Sequence, residues 1–200
     1  MVSVARRHLQ DGLTPRFRDA LNAPDPLARL IAEIAPGVFT FDVFSKRFCA
    51  KLVSMLADCE SVVPNSMNKY GIELRQVGMG GLCKALLDDV VNPLTRRFYP
   101  SIVRLCDYHG FVVAYAPDKQ RKLMLHCDQS DVTLNICLGK KFTGGDLILA
   151  DNVTGRTSAA LGQVVGRGVL HRGSQLHRTA PVTSGERMNL ILWCRTVKPL

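Results

Sequence analysis

The chain has 200 residues, of which 46% are hydrophobic, and its formal net charge at neutral pH is +9. This length and apolar content are typical of one globular domain with a core of its own, and they exclude an intrinsically disordered chain. No apolar run approaches the ~20 residues that a membrane-spanning helix requires, so we expect no membrane span.

The seven cysteines are odd in number, widely spread, and form no Cys-x-x-Cys pair. This pattern argues against a disulfide framework and a zinc ribbon, and favours reduced thiols in the cytoplasm or nucleus. An organellar presequence is the alternative, because residues 1–18 contain four arginines and only one acidic residue. No apolar segment follows Arg6 and Arg7, which argues against a secretory signal peptide.

The positive charge is unevenly distributed, with a net +3 in residues 1–100 and +6 in residues 101–200. Such an excess favours an acidic ligand or partner, and it keeps nucleic acid among the partners to consider. No dense basic run with interleaved aromatic residues is present, however, and an ordinary solvated surface is the favoured explanation of the excess.

The first half of the chain shows helical patterning. Residues 27–35 are compatible with one short helix, and residues 45–60 carry apolar side chains at helical spacing behind Ser45, a residue suited to an N-cap. A further helix is predicted over residues 82–91, ending before Pro93. We therefore expect an N-terminal segment over residues 1–35, whose order the pattern does not determine, and a helical support region over residues 36–104.

The second half shows the alternation of β-strands. The predicted strands are 111–115, 123–125, 132–138, 146–149, 163–170 and 188–194. Within residues 132–138, Thr133, Asn135 and Cys137 share one face. Short strands separated by glycine turns, such as Gly144-Gly145, indicate a sandwich or barrel. The expected fold class is α+β, with N-terminal helices followed by a double-stranded β-helix (jelly-roll) core over residues 105–198.

Three side chains in this β-rich half have the chemistry of a metal site. His126 and Asp128 are two positions apart at the end of a predicted strand, where alternation points both the same way. His177, from a later strand, would complete a set of two histidines and one carboxylate, the arrangement suited to non-haem Fe(II) oxygenases. His171 competes for the third position, and we choose His177 because Arg187 follows it by ten residues.

Arg187 is a candidate ligand for an anion. It leads directly into the apolar strand predicted over residues 188–194, and a fixed cation inside a β-roll is costly unless it is paired. A dianionic cosubstrate would supply the partner, since a planar guanidinium binds a carboxylate through two hydrogen bonds. A surface charge after the turn at residues 183–185 is the alternative.

These motifs together resemble a known family. The stretches from His126 to Gly139 and from His177 to Arg187 are similar to the metal-binding segments of 2-oxoglutarate- and Fe(II)-dependent oxygenases related to prolyl 4-hydroxylases. Residues 63–71 and 189–195 resemble the subgroup called 2-oxoglutarate and iron-dependent oxygenase domain-containing proteins. The resemblance extends from about residue 36 to residue 198.

The resemblance implies a role for individual residues. His126, Asp128 and His177 would hold Fe(II), and Arg187 would bind the distal carboxylate of 2-oxoglutarate. Tyr115 looks like the tyrosine that often lines the cosubstrate pocket, Thr133 could assist it, and His171 would support the site without holding the metal. Cys137 stands where some relatives carry a tyrosine, whereas Cys127 should point away from the metal by alternation.

The resemblance also implies an activity. It is that of a dioxygenase that uses Fe(II), 2-oxoglutarate and O2, releases succinate and CO2, and hydroxylates a substrate, with ascorbate (L-ascorbic acid) binding as a supporting reductant. The favoured substrate is a protein or peptide, with prolyl or lysyl side chains as the group hydroxylated. The alternatives are a nucleobase or small-molecule oxygenase of the same superfamily and a catalytically silent interaction module.

Overall fold

The structure is a computed structural model that describes residues 4–21, 29–57, 59 and 71–196. Its α-helices are α1 (Val4–Gly12), α2 (Pro15–Leu21), α3 (Lys46–Leu56), α4 (Gly80–Leu86) and α5 (Asn92–Phe98), and a π-helical turn (Leu87–Val91) joins α4 to α5. The longest of these has 11 residues. Within the described ranges, no helix has the length and apolar character needed to cross a membrane.

The strands are β1 (Ala32–Ala35), β2 (Val38–Asp42), β3 (Gly71–Glu73), β4 (Asp107–Tyr115), β5 (Leu123–His126), β6 (Val132–Gly139), β7 (Phe142–Gly144), β8 (Leu147–Ala150), β9 (Thr157–Leu161), β10 (Arg167–Arg172), β11 (His177–Thr179), β12 (Val182–Gly185) and β13 (Arg187–Arg195). A seven-stranded sheet has the order β1-β2-β10-β6-β13-β4-β3, and a four-stranded sheet has the order β5-β11-β8-β9. A short ribbon pairs β12 with β7. The helices and antiparallel sheets confirm the expected α+β jelly-roll fold.

Alternation along β6 and β13 separates the core from the interior of the roll. Leu134 and Ile136 of β6 and Leu190 and Leu192 of β13 belong to the main core, which they share with the helices. The intervening residues of both strands point to the opposite face of the sheet. The predicted alternation over residues 132–138 is confirmed, and it delivers polar side chains to the pocket described below.

The helix predicted over residues 45–60 is confirmed in α3. The Ser45 hydroxyl accepts a hydrogen bond from the Phe48 N–H at 3.2 Å, the geometry of an N-cap. Cys49, Leu52 and Leu56 form its buried stripe. Residues 58 and 60 lie outside the described residues.

Two helix predictions need correction. Of residues 27–35, expected to be helical, 29 and 30 are helical, 27 and 28 lie outside the described residues, and 32–35 form β1. Strand β1 pairs with β2 around a turn where Gly37 has a φ of 70°. This hairpin overrides the helical preference of the local sequence because strand pairing supplies the backbone hydrogen bonds. The helix predicted to end before Pro93 instead continues into α5. Pro93 lies in the first turn of α5, where a missing N–H is tolerated.

The strand predicted over residues 163–170 is displaced. The observed strand β10 covers Arg167–Arg172, and Gly166 precedes it with a φ of 88°. A Cβ at Gly166 would lie 2.1 Å from the Phe44 carbonyl oxygen, so the chain needs a glycine turn at this point. Strand β9 was not predicted.

Three strands from the first 104 residues, β1, β2 and β3, join the seven-stranded sheet. The division into regions at residue 104 stays a prediction.

Candidate metal centre and anion pocket

A pocket between the two sheets is lined by both polar and apolar side chains. Its lining comprises Phe111, Val113, Tyr115, Leu123, His126, Asp128, Thr133, Asn135, Leu147, His177, Thr179, Arg187, Ile191 and Trp193. One end contains His126, Asp128 and His177, and the other contains Arg187. The two candidate groups of the sequence analysis therefore lie in the same pocket.

Strand pairing brings the two histidines of the first end together. His126 is the last residue of β5 and His177 the first residue of β11, and the two are paired across the sheet. Asp128 follows β5, and its N–H donates to the Gly173 carbonyl at 2.8 Å. A Cβ at Gly173 would lie 1.8 Å from the Ser130 oxygen, so this close approach requires glycine.

The three side chains converge on one point. The candidate ligand atoms of His126, Asp128 and His177 all lie within 4.8 Å of one another. The Nε2 atoms of His126 and His177 are 3.6 and 3.8 Å from Oδ1 of Asp128. The other carboxylate oxygen, Oδ2, accepts a hydrogen bond from the Thr133 hydroxyl at 2.7 Å. Oδ1 is therefore the atom turned toward the two histidines.

The hydrogen bonds of the two histidines determine the tautomer of each imidazole, and with it the nitrogen whose lone pair faces the Asp128 carboxylate. Nδ1 of His126 lies 2.7 Å from the Met124 carbonyl, and Nδ1 of His177 lies 2.9 Å from the Gln175 carbonyl. A carbonyl oxygen can only accept, so each Nδ1 carries a proton. In the neutral imidazole each Nε2 is then an acceptor, and it faces another acceptor across 3.6–3.8 Å.

Electrostatics make this end of the pocket electron-rich. Burial would raise the pKa of Asp128, but interaction with the protonated forms of His126, His177 and His171 and the hydrogen bond from the Thr133 hydroxyl lower it to about 2, so the group is a carboxylate. Burial lowers the pKa of His177 to about 4, so that imidazole is neutral. A carboxylate and buried lone pairs aimed at a common point are costly without a cation, and this donor set therefore fits a divalent metal ion.

Metal affinity should fall as the pH falls below neutral. Burial disfavours the charged form of His126, but that form would donate to both the Asp128 carboxylate and the Met124 carbonyl, which outweighs burial and raises the pKa of His126 above the ordinary 6.5. Below that raised pKa a proton occupies the metal-binding nitrogen of His126, whereas Asp128 and His177 stay free of competing protons to about pH 4. We expect calorimetric titrations to show that the affinity for Mn(II) falls about tenfold per pH unit between the raised pKa of His126 and about pH 4. A pH-independent affinity between pH 8 and pH 5.5 would contradict this assignment.

At the other end of the pocket Arg187 is a buried cation. It is 2% exposed, and its guanidinium lies over the Tyr115 ring, with 4.5 Å between Cζ and the ring centroid. Its Nη1 donates to the Gly145 carbonyl, and its Nη2 donates to the Thr179 hydroxyl at 3.4 Å. These partners are neutral, so they orient the guanidinium without compensating its charge.

Arg187 has unsatisfied capacity for an anion. Its Nε is buried and makes no hydrogen bond, and no carboxylate lies within 4.0 Å of it among the residues that the structure describes. Burial lowers its pKa from the ordinary 12.5, which shows that the pocket disfavours the charge. A guanidinium remains protonated in proteins, so an anionic ligand is the natural compensation.

The residues expected to support these two groups lie nearby. Tyr115 contacts Arg187 as described, and Thr133 lines the pocket but directs its hydroxyl to Asp128. His171 is fully buried, and its Nε2 lies 3.8 Å from Oδ2 of Asp128 without a hydrogen-bond partner in the described structure. It lies outside the group of three candidate ligands, and its supporting role stays a prediction. A cosubstrate contact by Tyr115 or Thr133 stays a prediction.

The two cysteines near the site differ in exposure. Cys127 is exposed, and its Sγ lies 3.3 Å from the Ser174 carbonyl, whereas its two neighbours His126 and Asp128 line the pocket. Cys137 is buried, and burial raises the pKa of its thiol. Of the motif at residues 63–71, residues 63–70 lie outside the described residues.

Sequence reasoning missed several contacts of the pocket. Thr179 follows His177 by two residues on the same strand, so alternation would have identified it as a pocket residue. The same rule applied from Arg187 leads to Ile191 and Trp193. The Gly145 carbonyl has no signal in the side-chain pattern, because its contribution comes from the backbone.

Comparison with known proteins places the chain in a family. The OGFOD2-like domain family matches residues 5–104. The chain is 40% identical over 170 residues to 2-oxoglutarate and iron-dependent oxygenase domain-containing protein 2 of Xenopus tropicalis, covering 79% of this chain and 49% of that one. It is 34% identical over 202 residues to 2-oxoglutarate and iron-dependent oxygenase domain-containing protein ICU11 of Arabidopsis thaliana, covering 91% and 48%. The chain thus spans about half the length of these relatives.

A solved structure shares the fold. A prolyl-4-hydroxylase from Pseudomonas putida superposes with a TM-score of 0.64 over 82% of this chain and 95% of that chain. The sequence identity is 17%, so the likeness concerns the arrangement of helices and sheets. It agrees with the two-sheet roll described above.

Proposed function

The chain belongs to the OGFOD2-like domain family, and on that premise we propose that it is a 2-oxoglutarate-dependent Fe(II) dioxygenase. The observation that carries the proposal is the common pocket of two buried groups that need opposite charges. His126, Asp128 and His177 require a cation, and Arg187 requires an anion. Fe(II) and 2-oxoglutarate supply these charges.

The chain's own residues would bind and orient both components. His126, Asp128 and His177 would hold Fe(II) on one side, leaving its remaining positions open. Thr133 would keep the Asp128 carboxylate turned so that Oδ1 faces the metal. Arg187, oriented by Thr179 and the Gly145 carbonyl, would bind the distal carboxylate of 2-oxoglutarate. When bound, iron and 2-oxoglutarate supply the oxidative chemistry with O2, releasing succinate and CO2.

The charges of the pocket match this pair of ligands. The Asp128 carboxylate contributes one negative charge and Arg187 one positive charge, so a divalent cation would give the pocket a net charge of about +2. A dicarboxylate such as 2-oxoglutarate neutralises that charge. Phe111, Val113 and Leu147 also line the pocket and would help to exclude water from it.

For the substrate we infer a protein side chain, prolyl or lysyl, with ascorbate as a supporting reductant. The solved structure that shares the fold is named a prolyl-4-hydroxylase, which supports an amino-acid side chain as the target. A nucleobase or small molecule is the second candidate, supported by the net charge of +9. Salt-sensitive binding of DNA or RNA would favour that candidate.

The proposal is tested by anaerobic titration of metal-free protein with Fe(II) and 2-oxoglutarate. We expect a visible charge-transfer absorption band only when both are present, because its origin is direct contact between the metal and the 2-oxo group. Asp128→Ala should lack the band at any concentration, and succinate should not replace 2-oxoglutarate. Absence of the band in folded wild-type protein would contradict the assignment and favour a silent interaction module.

A further inference from the structure

The strand that carries His126 is an edge strand. β5 is the terminal strand of the four-stranded sheet and pairs with β11 on one side. In the part of the chain that the structure describes, no strand pairs with its other side. The Met124 carbonyl accepts from Nδ1 of His126, and the other backbone groups along that edge are available to a further strand.

The side chains of this edge are apolar and exposed. Met124 is 67% exposed and Leu125 is 42% exposed, although both immediately precede His126 of the candidate metal centre. Natural edge strands are usually protected against pairing by charges, prolines or bulges on the strand itself. Between Leu123 and Leu125 neither a charge nor a proline occurs. The pairing with β11 is irregular, because three steps along β5, from Leu123 to His126, match two steps along β11, from Thr179 to His177.

Positive charge surrounds the edge. Lys119, Arg121 and Lys122 precede β5, and Arg178 lies on the neighbouring strand β11. None of these four cations forms an ion pair with another residue of the described ranges. Asp118 is the only acidic residue between positions 116 and 127. These four positive charges, which the described part of the chain does not neutralise, are therefore available to an acidic partner.

We propose that the free edge of β5 docks an extended, acidic polypeptide segment as an added strand, next to His126 of the metal pocket. Backbone pairing along β5 would supply affinity, Met124 and Leu125 would contact apolar side chains, and the surrounding cations would select acidic neighbours. β5 ends at His126, so a segment paired with it runs up to the metal centre and can present a side chain there. This inference rests on the proposed function and assigns its substrate to polypeptides.

A polypeptide fits this surface better than a nucleic acid. A nucleic acid has no backbone amides with which to continue the hydrogen-bond ladder of a sheet, whereas an extended peptide does. Single-stranded nucleic acids bind largely by stacking on aromatic side chains, and residues 116–127 contain none. Preferential binding of a nucleic acid would therefore overturn the proposal.

The test begins with a phage-displayed library of random dodecapeptides selected on the protein in the presence of Mn(II) and 2-oxoglutarate. We expect enriched peptides to be net negative and to alternate apolar and polar residues. Synthetic versions should bind wild-type protein and lose on the order of tenfold affinity or more with the double variant Arg121→Glu/Lys122→Glu. Methylation of alternate peptide amides that face β5 should abolish binding.

Lys46→Glu/Arg47→Glu is the matched control, because it reverses two adjacent exposed charges at the start of α3. Equal loss in both double variants, absence of enrichment, or tighter binding of a dodecathymidylate probe would overturn the proposal. The anaerobic absorption band distinguishes failure of the docking proposal from failure of the proposed function. Both double variants should keep the band, and peptide binding by a wild-type protein that lacks it would preserve the docking surface while removing the oxygenase assignment.

Discussion

Replacing Asp128 with asparagine is expected to stabilise the metal-free protein and to abolish its stabilisation by metal. At a pH above the raised pKa of His126, the wild-type carboxylate faces two Nε2 acceptors at 3.6 and 3.8 Å. The asparagine amide would place two N–H donors at that position, within roughly half an ångström of hydrogen-bonding distance. Each hydrogen bond gained contributes about 1 kcal/mol to the free energy of unfolding.

The metal-bound state should respond in the opposite direction. Loss of the anionic ligand should weaken Mn(II) binding by about 100-fold or more, since even partners outside the coordination sphere contribute 10- to 100-fold. At a metal concentration of about 100 times Kd, wild-type protein gains about 2.7 kcal/mol of stability. For a chain of this size that gain corresponds to a rise in melting temperature of about 5–11 °C. Asp128→Asn should show almost none of it.

Thermal unfolding with and without Mn(II) measures both effects. Asp19→Asn is the matched control, because it makes the same change at a carboxylate whose side chain is 72% exposed on α2. This control should keep the metal-dependent rise. If Asp128→Asn lowered the melting temperature of metal-free protein and kept the response to Mn(II), the account of an electron-rich cluster completed by a cation would be wrong.

Residues governed by local periodicity could be predicted from the sequence. Alternation placed Thr133 and Asn135 on one face, and the structure shows both in the pocket. The two-residue spacing of His126 and Asp128 brings their side chains together for the same reason. Such predictions succeed because a strand's side-chain period depends on its own backbone.

Features that depend on distant parts of the chain could not be predicted in this way. Residues 32–35 look helical locally, and only pairing with β2 makes them a strand. His171 and His177 have similar surroundings in the sequence, but His177 pairs with His126 whereas His171 pairs with Thr133 of the other sheet. The Gly145 carbonyl accepts a hydrogen bond from Arg187, which is 42 residues away in the sequence. Long-range register decides each of these contacts.

Replacing Arg187 with methionine should remove discrimination for the distal carboxylate of 2-oxoglutarate. Methionine fills a similar apolar volume and removes a buried cation that has no ion pair among the described residues, so folding should be preserved. Two charge-assisted hydrogen bonds to a carboxylate contribute about 3–6 kcal/mol in total. We therefore expect KM for 2-oxoglutarate to rise by about 100-fold or more, with kcat at saturation changed much less.

The measurement compares 2-oxoglutarate with 2-oxovalerate, which keeps the metal-chelating end but lacks the distal carboxylate. Wild-type protein should develop the anaerobic absorption band at far lower concentrations of 2-oxoglutarate than of 2-oxovalerate. Arg187→Met should respond to both at similar concentrations. Arg187→Lys should lie between them, because an ammonium keeps the charge but lacks the planar fork of the guanidinium.

Arg156→Met is the matched control, since Arg156 is exposed and lies outside the pocket lining. It should retain the wild-type preference for the dicarboxylate. An unchanged preference for 2-oxoglutarate over 2-oxovalerate in folded Arg187→Met would show that another cation binds the distal carboxylate. The position of the cosubstrate in the pocket would then have to be reassigned. Collapse of the preference in Arg187→Met alone would identify the buried guanidinium as the group that selects a dicarboxylate.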